Sequence, residues 1–249
     1  MSQYQKMKEA LDNVQEIRGS VMSKLASTKD AFKDMIKDVQ LDPDLSPSGK
    51  QKKIELIKKE AGKGFLSIAK EMKDNYQQSV IKAKVNAELL LNEKPKKPEM
   101  GNNENTFTRQ FNDLKMKLML ESRANYAMDY LNDFIRQQKD PFFAQQIIDE
   151  YPQLVQTVLG AADPADSAKY KVELSRTLDN VKKVAITPEQ QEAAEIYESM
   201  DGAFNRDLFG RGLAMDTVQE LFGRDIAKYV NNPEHFVDED ESEGNEGAE

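Results

Sequence analysis

The apolar positions of the first 40 residues recur every seven. In one register the a positions are Tyr4, Leu11, Arg18, Leu25, Phe32 and Val39, and the d positions are Met7, Val14, Val21, Thr28 and Met35. Nine of these eleven are apolar. A repeat of about 3.5 residues per turn keeps one seam facing a partner helix, the geometry of left-handed coiled-coil packing. The pattern predicts a helix from about Gln3 to Gln40. Its seam can pair within the chain, between two copies of the chain or with a foreign helix. The residues expected to carry that oligomerisation seam are Leu11, Val14, Leu25 and Phe32, while Arg18 and Thr28 interrupt it and can set register.

The segment Leu41-Asp42-Pro43-Asp44-Leu45-Ser46-Pro47 breaks the helix, because Pro43 disfavours α geometry at Asp42. Ser46 suits an N-cap and Pro47 the first helical position. A second stripe then runs through Ile54, Ile57, Ala61, Phe65, Ile68, Met72, Tyr76, Val80, Ala83, Ala87 and Leu90, ten steps over 36 residues. That spacing is the α-helical period and predicts a helix from about Pro47 to Asn92. Gly62 and Gly64 each cost it about 1 kcal/mol against Ala and suggest a kink. Residues 1–93 therefore read as a long αα-hairpin.

Residues 94–105, rich in Pro, Lys and Asn, read as a linker. Residues 106–236 read as a bundle of about five helices. The first spans Phe107 to Gln138, capped by Thr106. Asp140-Pro141 starts the next, Tyr151-Pro152 interrupts it, and Gly160 ends it. Asp163-Pro164 starts a helix to about Val184. Thr187-Pro188-Glu189-Gln190 is a capping box for a helix to about Met200. Asp216 is expected to cap a last helix to about Val230. Residues 237–249 hold seven acids and no base, so they read as a disordered acidic tail that solubilises the chain or guards a basic surface.

Composition agrees with an all-α fold. Hydrophobic residues are 39% and charged residues 32% of the 249, and Trp is absent. Thin apolar stripes on long helices suit that balance better than a large core. No stretch shows strand alternation with β-branched enrichment. Cys is absent and His235 is the only His, which excludes disulfides and zinc sites built on His and Cys within one chain. No apolar leader region and no run of about 20 apolar residues is present, so the expectation is a cytoplasmic protein with no membrane span. The net charge of −9 is uneven, with 20 Lys/Arg against 15 Asp/Glu in residues 1–99 and 15 against 29 in residues 100–249.

The features that could carry function are few. Leu208-Phe209-Gly210-Arg211 recurs as Leu221-Phe222-Gly223-Arg224. Gly permits close backbone approach, Phe offers an anchor and Arg can fork onto a carboxylate, so Phe209, Arg211, Phe222 and Arg224 are the candidate partner-docking residues. The stretch Lys50–Lys97 has 13 Lys and 6 acids and could meet nucleic-acid phosphates. It has no Arg, and its Phe65 and Tyr76 fall on the apolar stripe rather than among the Lys, so a solvated face is favoured over a nucleic-acid site. The paired acids Asp129/Asp133 and Glu192/Glu195 lack the Glu-x-x-His partners of a bundle metal site. Gly210-Arg211-Gly212 is no phosphate loop. One His supports no nucleophile–base pair. No catalytic, cofactor-binding or metal-binding residue is assigned.

Leu45-Ser46-Pro47-Ser48-Gly49-Lys50-Gln51-Lys52-Lys53-Ile54 follows an N-terminal coiled coil. With the Lys/Glu/Gln/Met-rich helices, the absent Cys and the acidic balance, it resembles helical scaffolding and accessory proteins of tailed-phage virion assembly. The resemblance implies a helical, oligomerising assembly factor that contacts capsid, portal or another virion protein, in the host cytoplasm or the virion. Many scaffolding proteins dock through a basic C-terminal helix, and this chain departs from them in its acidic C-terminus. A non-enzymatic assembly protein acting through coiled-coil self-association and protein docking is the expectation. A helical adaptor or a nucleic-acid-binding hairpin is the alternative.

Overall fold

The computed structural model describes residues 1–98 and 102–237. Among them there is no strand, and the chain is all-α. The helices are α1 (Gln3–Leu41), α2 (Pro47–Leu91), α3 (Asn102–Leu120), α4 (Ala124–Gln137), α5 (Pro141–Gly160), α6 (Ser167–Ala185), α7 (Pro188–Asp201), α8 (Leu213–Phe222) and α9 (Arg224–Tyr229). A 3-10 turn follows at Pro233–His235. The acidic segment after Val237 lies outside the described residues.

Contacts divide the described residues into two compact units, residues 1–87 with 196–237, and residues 88–98 with 102–195. The expected division at residues 94–105 is thus replaced. Residues 196–237 belong with the hairpin rather than with the bundle.

In the first unit, Ser2 caps α1. Its hydroxyl accepts from Gln5 N at 3.2 Å while Gln5 Oε1 accepts from Ser2 N at 2.9 Å, a reciprocal capping box. At the other end Lys50 Nζ donates to the Gln40 carbonyl at 2.8 Å, which satisfies one of the orphan C-terminal acceptors of α1. The buried stripe of α1 is Met7, Ala10, Val14, Val21, Leu25 and Val39. Arg18 and Met35, core positions in the strict heptad reading, are exposed. On α2, Leu66 and Ala69 are buried where Ile68 was expected, and Ile68 is 38% exposed. One core joins Val21 and Leu25 of α1, Phe65, Leu66, Ala69 and Met72 of α2, and Phe209, Val218, Leu221, Phe222, Ile226 and Val230 of the C-terminal segment. The heptad seam therefore pairs within the chain over this stretch.

The second unit holds α3 to α6, with a core that includes Phe107, Phe111, Leu131, Phe134, Phe143, Ile147, Leu154 and Leu174. Three expectations fail here. The single helix over 107–138 is two helices, α3 and α4, broken at residues 121–123. Phe134 packs 5.9 Å from Phe107 and 5.6 Å from Phe111, centroid to centroid. In one straight helix those side chains would lie roughly 35–40 Å apart, so stacking the aromatic rings requires the reversal. Glu121 carries it, its carboxylate accepting from Arg123 N at 3.1 Å and Arg123 Nε at 3.3 Å. Pro152 does not interrupt α5. Its ring sits on the exposed face, while Tyr151, Leu154 and Val158 are buried opposite. Burying those side chains at about 1.5–3 kcal/mol each outweighs the roughly 3 kcal/mol that an internal Pro costs. Thr106 lies inside α3 rather than before it, because the helix begins at Asn102.

The Thr187 capping box forms as expected. Thr187 Oγ1 accepts from Gln190 N at 3.2 Å and Gln190 Oε1 accepts from Thr187 N at 3.0 Å. Gln190 is buried, and its Nε2 donates to the carbonyls of Leu90 at 3.1 Å and Glu93 at 2.8 Å. One amide thus starts α7 and closes the end of α2.

Candidate functional site

The repeated Leu-Phe-Gly-Arg segments lie in the first unit, on the segment that covers α2. Phe209 and Phe222 are not free anchors. They are 1% and 5% exposed. Phe65 of α2 meets both, with centroids 5.6 Å from Phe209 and 5.2 Å from Phe222, and Phe32 of α1 meets Phe222 edge-on at 5.8 Å. Aromatic pairs at these separations add to their area burial, so the two Phe hold the fold together. The docking role expected of Phe209 and Phe222 is corrected on that ground. Arg211 and Arg224 are exposed.

Each repeat ends differently. Gly223 has φ 92° and ψ 172°, a conformation essentially confined to Gly, and it separates α8 from α9. The single helix expected from Asp216 to Val230 is divided at that residue, and Asp216 sits in the first turn of α8 rather than at its cap. In the first repeat the left-handed residue is Gly212 (φ 98°), two positions after Gly210. The shared tetrapeptide therefore hides two unlike backbones, and places Arg211 before α8 and Arg224 at the first position of α9.

Side-chain bonds fasten this segment. Asn231 brackets Phe209, its Oδ1 accepting from Phe209 N and its Nδ2 donating to Phe209 O, both at 2.9 Å. Lys73 of α2 donates to the Asn231 carbonyl (2.8 Å), Asn232 Oδ1 (3.1 Å) and Glu234 Oε1 (2.9 Å). The Lys73 ammonium beside Glu234 holds its carboxyl below the usual carboxylate range. The buried Tyr76 hydroxyl donates to the Ala203 carbonyl at 3.0 Å. Lys84 pairs with Asp201. None of these signals was legible in sequence, because each joins residues more than 100 apart or fastens a loop.

The four seam residues divide as well. Val14 and Leu25 are buried, at 4% and 1% exposure, and Leu11 and Phe32 are half-buried. Leu25 and Phe32 lie against the core that contains α8 and α9.

The Lys-rich stretch is partly committed to the chain itself. Lys50, Lys53, Lys73, Lys84, Lys94 and Lys97 each bond to a carbonyl or an acid of the chain, including Asp42, Asp149 and Glu104. In the second unit a groove of about 480 Å³ between α4 and α6 is lined in part by Asn132, Arg136, Lys139, Arg176 and Thr177. Thr177 Oγ1 donates to Asn132 Oδ1 at 2.9 Å on its floor. Nearby, Tyr151 donates to the Leu174 carbonyl at 2.7 Å, and burial pushes its phenol up to about 12. A buried, hydrogen-bonded phenol of that kind supports packing. Among the described residues no group of three or more His, Cys, Asp or Glu could hold a metal, and no helix is long and apolar enough to cross a membrane. Comparison with protein-family models, with curated proteins and with solved structures gives no match.

Proposed function

We propose that this chain is a non-enzymatic assembly protein, of the kind that serves virion assembly in tailed phages as a scaffold-like or minor structural component. It works by self-association of its hairpin and by docking to a protein partner such as capsid or portal. The observation that carries the reading is the way the chain mounts Arg211 and Arg224. Both guanidinium groups are exposed, and each is separated by one Gly from a Phe locked in the core. The buried Phe anchors the backbone next to each Arg, and exposed Arg forks suit carboxylates of a partner. The long hairpin, with 39 residues in α1 and 45 in α2, suits a spacer or scaffold.

Affinity capture of the tagged full-length chain from its native source, followed by mass spectrometry, tests the reading. Capsid, portal or tail proteins are expected. Arg211→Ala combined with Arg224→Ala should weaken that capture with helix content unchanged. Recovery of nucleic acid in place of virion proteins, abolished by neutralising Lys52, Lys58 and Lys59, would replace this reading with the nucleic-acid one.

A further inference from the structure

The far end of the hairpin differs from the rest of the first unit. Of the apolar side chains in residues 33–60, only Val39 is buried. Met35 is 49% exposed, Leu41 69% and Leu56 63%. None of the apolar residues in this span joins the core formed with α8 and α9. Two helices side by side leave the outer parts of their seam open, and a third or fourth helix is what normally closes it. An open groove of about 390 Å³ marks the place, lined by Met35, Lys53, Leu56, Ile57, Glu60 and Ala61.

Charge identifies the occupant. Residues 30–44 of α1 and its turn carry five Asp and two Lys, a net of −3. Residues 47–60 of α2 carry five Lys and two Glu, a net of +3. Asp42 and Lys53 pair with each other within the chain, which leaves nets of −2 and +2 on the two edges. On α1 Asp34 adjoins Met35 and Asp38 lies one turn beyond it, and on α2 Lys52 and Lys59 lie one turn to either side of Leu56. All four are exposed. A surface with one acidic and one basic edge of equal charge is complementary to its own copy turned by a two-fold axis, since each acidic edge then meets a basic one.

We infer that the tip of the hairpin, from about Lys33 to Glu60, pairs with the same tip of a second copy. α1 of each chain lies against α2 of the other, and the four helices bury Met35, Leu56 and Ile57 together. This rests on the assembly reading above and gives it a specific self-association surface.

Sedimentation velocity of the full-length chain over a concentration series tests it. The expected result is a monomer–dimer equilibrium that weakens with added salt. Leu56→Gln, an apolar anchor at the centre of the groove, should weaken the dimer about tenfold or more. Asp34→Lys with Asp38→Lys should be monomeric, and so should Lys52→Glu with Lys59→Glu. A one-to-one mixture of those two variants should associate again, because both interchain edges then carry opposite charges. Circular dichroism confirms that each variant folds. A chain that stays monomeric into the millimolar range overturns the inference. So does a dimer that is indifferent to Leu56→Gln and to both charge reversals, or two variants that fail to rescue one another. A monomer that still captures virion proteins removes the tip dimer and keeps the assembly reading. A tip dimer that captures none keeps the inference and removes that reading.

Discussion

Gly62 of α2 and Ile226 of α9 approach so closely that a Cβ placed on Gly62 would stand 2.8 Å from Ile226 Cγ1 and 3.4 Å from Phe222 Cβ. Phe222 Cβ is fixed by its backbone, and Ile226 Cγ1 can retreat only by leaving its χ1 rotamer inside a packed core. Gly62→Ala gains up to about 1 kcal/mol of helix propensity but overpacks at a cost of about 1–3 kcal/mol. The clash wins, and a net loss of about 1 kcal/mol is expected. Gly64 has nothing within 4 Å of its Cβ position, so Gly64→Ala should stabilise by about 0.5–1 kcal/mol. Urea unfolding of the two variants beside the parent decides it. Equal shifts in the same direction would falsify the close approach of α9 to α2.

Asn231 supplies both hydrogen bonds of the Phe209 backbone that are made by side chains. Asn231→Ala leaves an N–H and a C=O half-buried without them, at about 1–3 kcal/mol. Asn231→Asp keeps an acceptor for Phe209 N but offers the Phe209 carbonyl no donor, and should be of comparable cost. Thermal unfolding gives the difference. A variant as stable as the parent shows that the bracket contributes nothing.

The Lys73–Glu234 pair predicts an acid-limb effect. Glu234 has its carboxyl lowered from 4.5 when folded, first by the Lys73 hydrogen bond. A depressed folded value means that the stabilisation is complete above pH about 4.5 and disappears as pH falls through the folded value. The Glu234 side chain is 45% exposed, so solvent screening keeps the contribution to about 0.5 kcal/mol. Glu234→Gln should therefore be slightly less stable than the parent at neutral pH, and the gap should close as pH falls through the folded value. A gap that stays the same at every pH removes the electrostatic account.

Gln190 fills three roles at once, with both halves of its amide bonded. Gln190→Ala loses the donors to Leu90 and Glu93 and half of the capping box, and a loss of about 1–3 kcal/mol is expected. Gln190→Glu keeps the acceptor for Thr187 N but sets a carboxylate against two carbonyls, so it should be worse than Ala. Hydrogen exchange at the first turn of α7 and the last of α2 reads it directly. Rates unchanged in both variants would remove the shared anchor.

Much of the local structure was legible. The ends of α1 and α2 fall within about one residue of their expected places, because Pro43 and the Ser46-Pro47 pair act through neighbours in sequence. The Thr187 box was legible for the same reason. The break at Glu121 was not, since no Gly or Pro marks it and the rings that demand it sit far apart along the chain. Pro152 misled because its helical cost is local, whereas the burial that offsets it is not. The repeated Leu-Phe-Gly-Arg was legible as a pattern and misleading as a site. Its Phe residues looked like exposed anchors only while nothing said that α2 would cover them.

Periodicity, Pro and capping side chains act over a few residues, so the helical class, the length of the hairpin and the helix starts at Pro47, Pro141 and Pro188 were legible from sequence, whereas the caps expected at Thr106 and Asp216 did not form. The folded structure decided the rest: residues 196–237 return to the hairpin, Leu25 and Phe32 face the chain's own α8 and α9, and the hairpin tip is left uncovered. Those outcomes depend on which apolar faces meet, and the hydrophobic effect that joins them is non-directional. A stripe specifies that a face must be buried, and the rest of the fold selects what buries it.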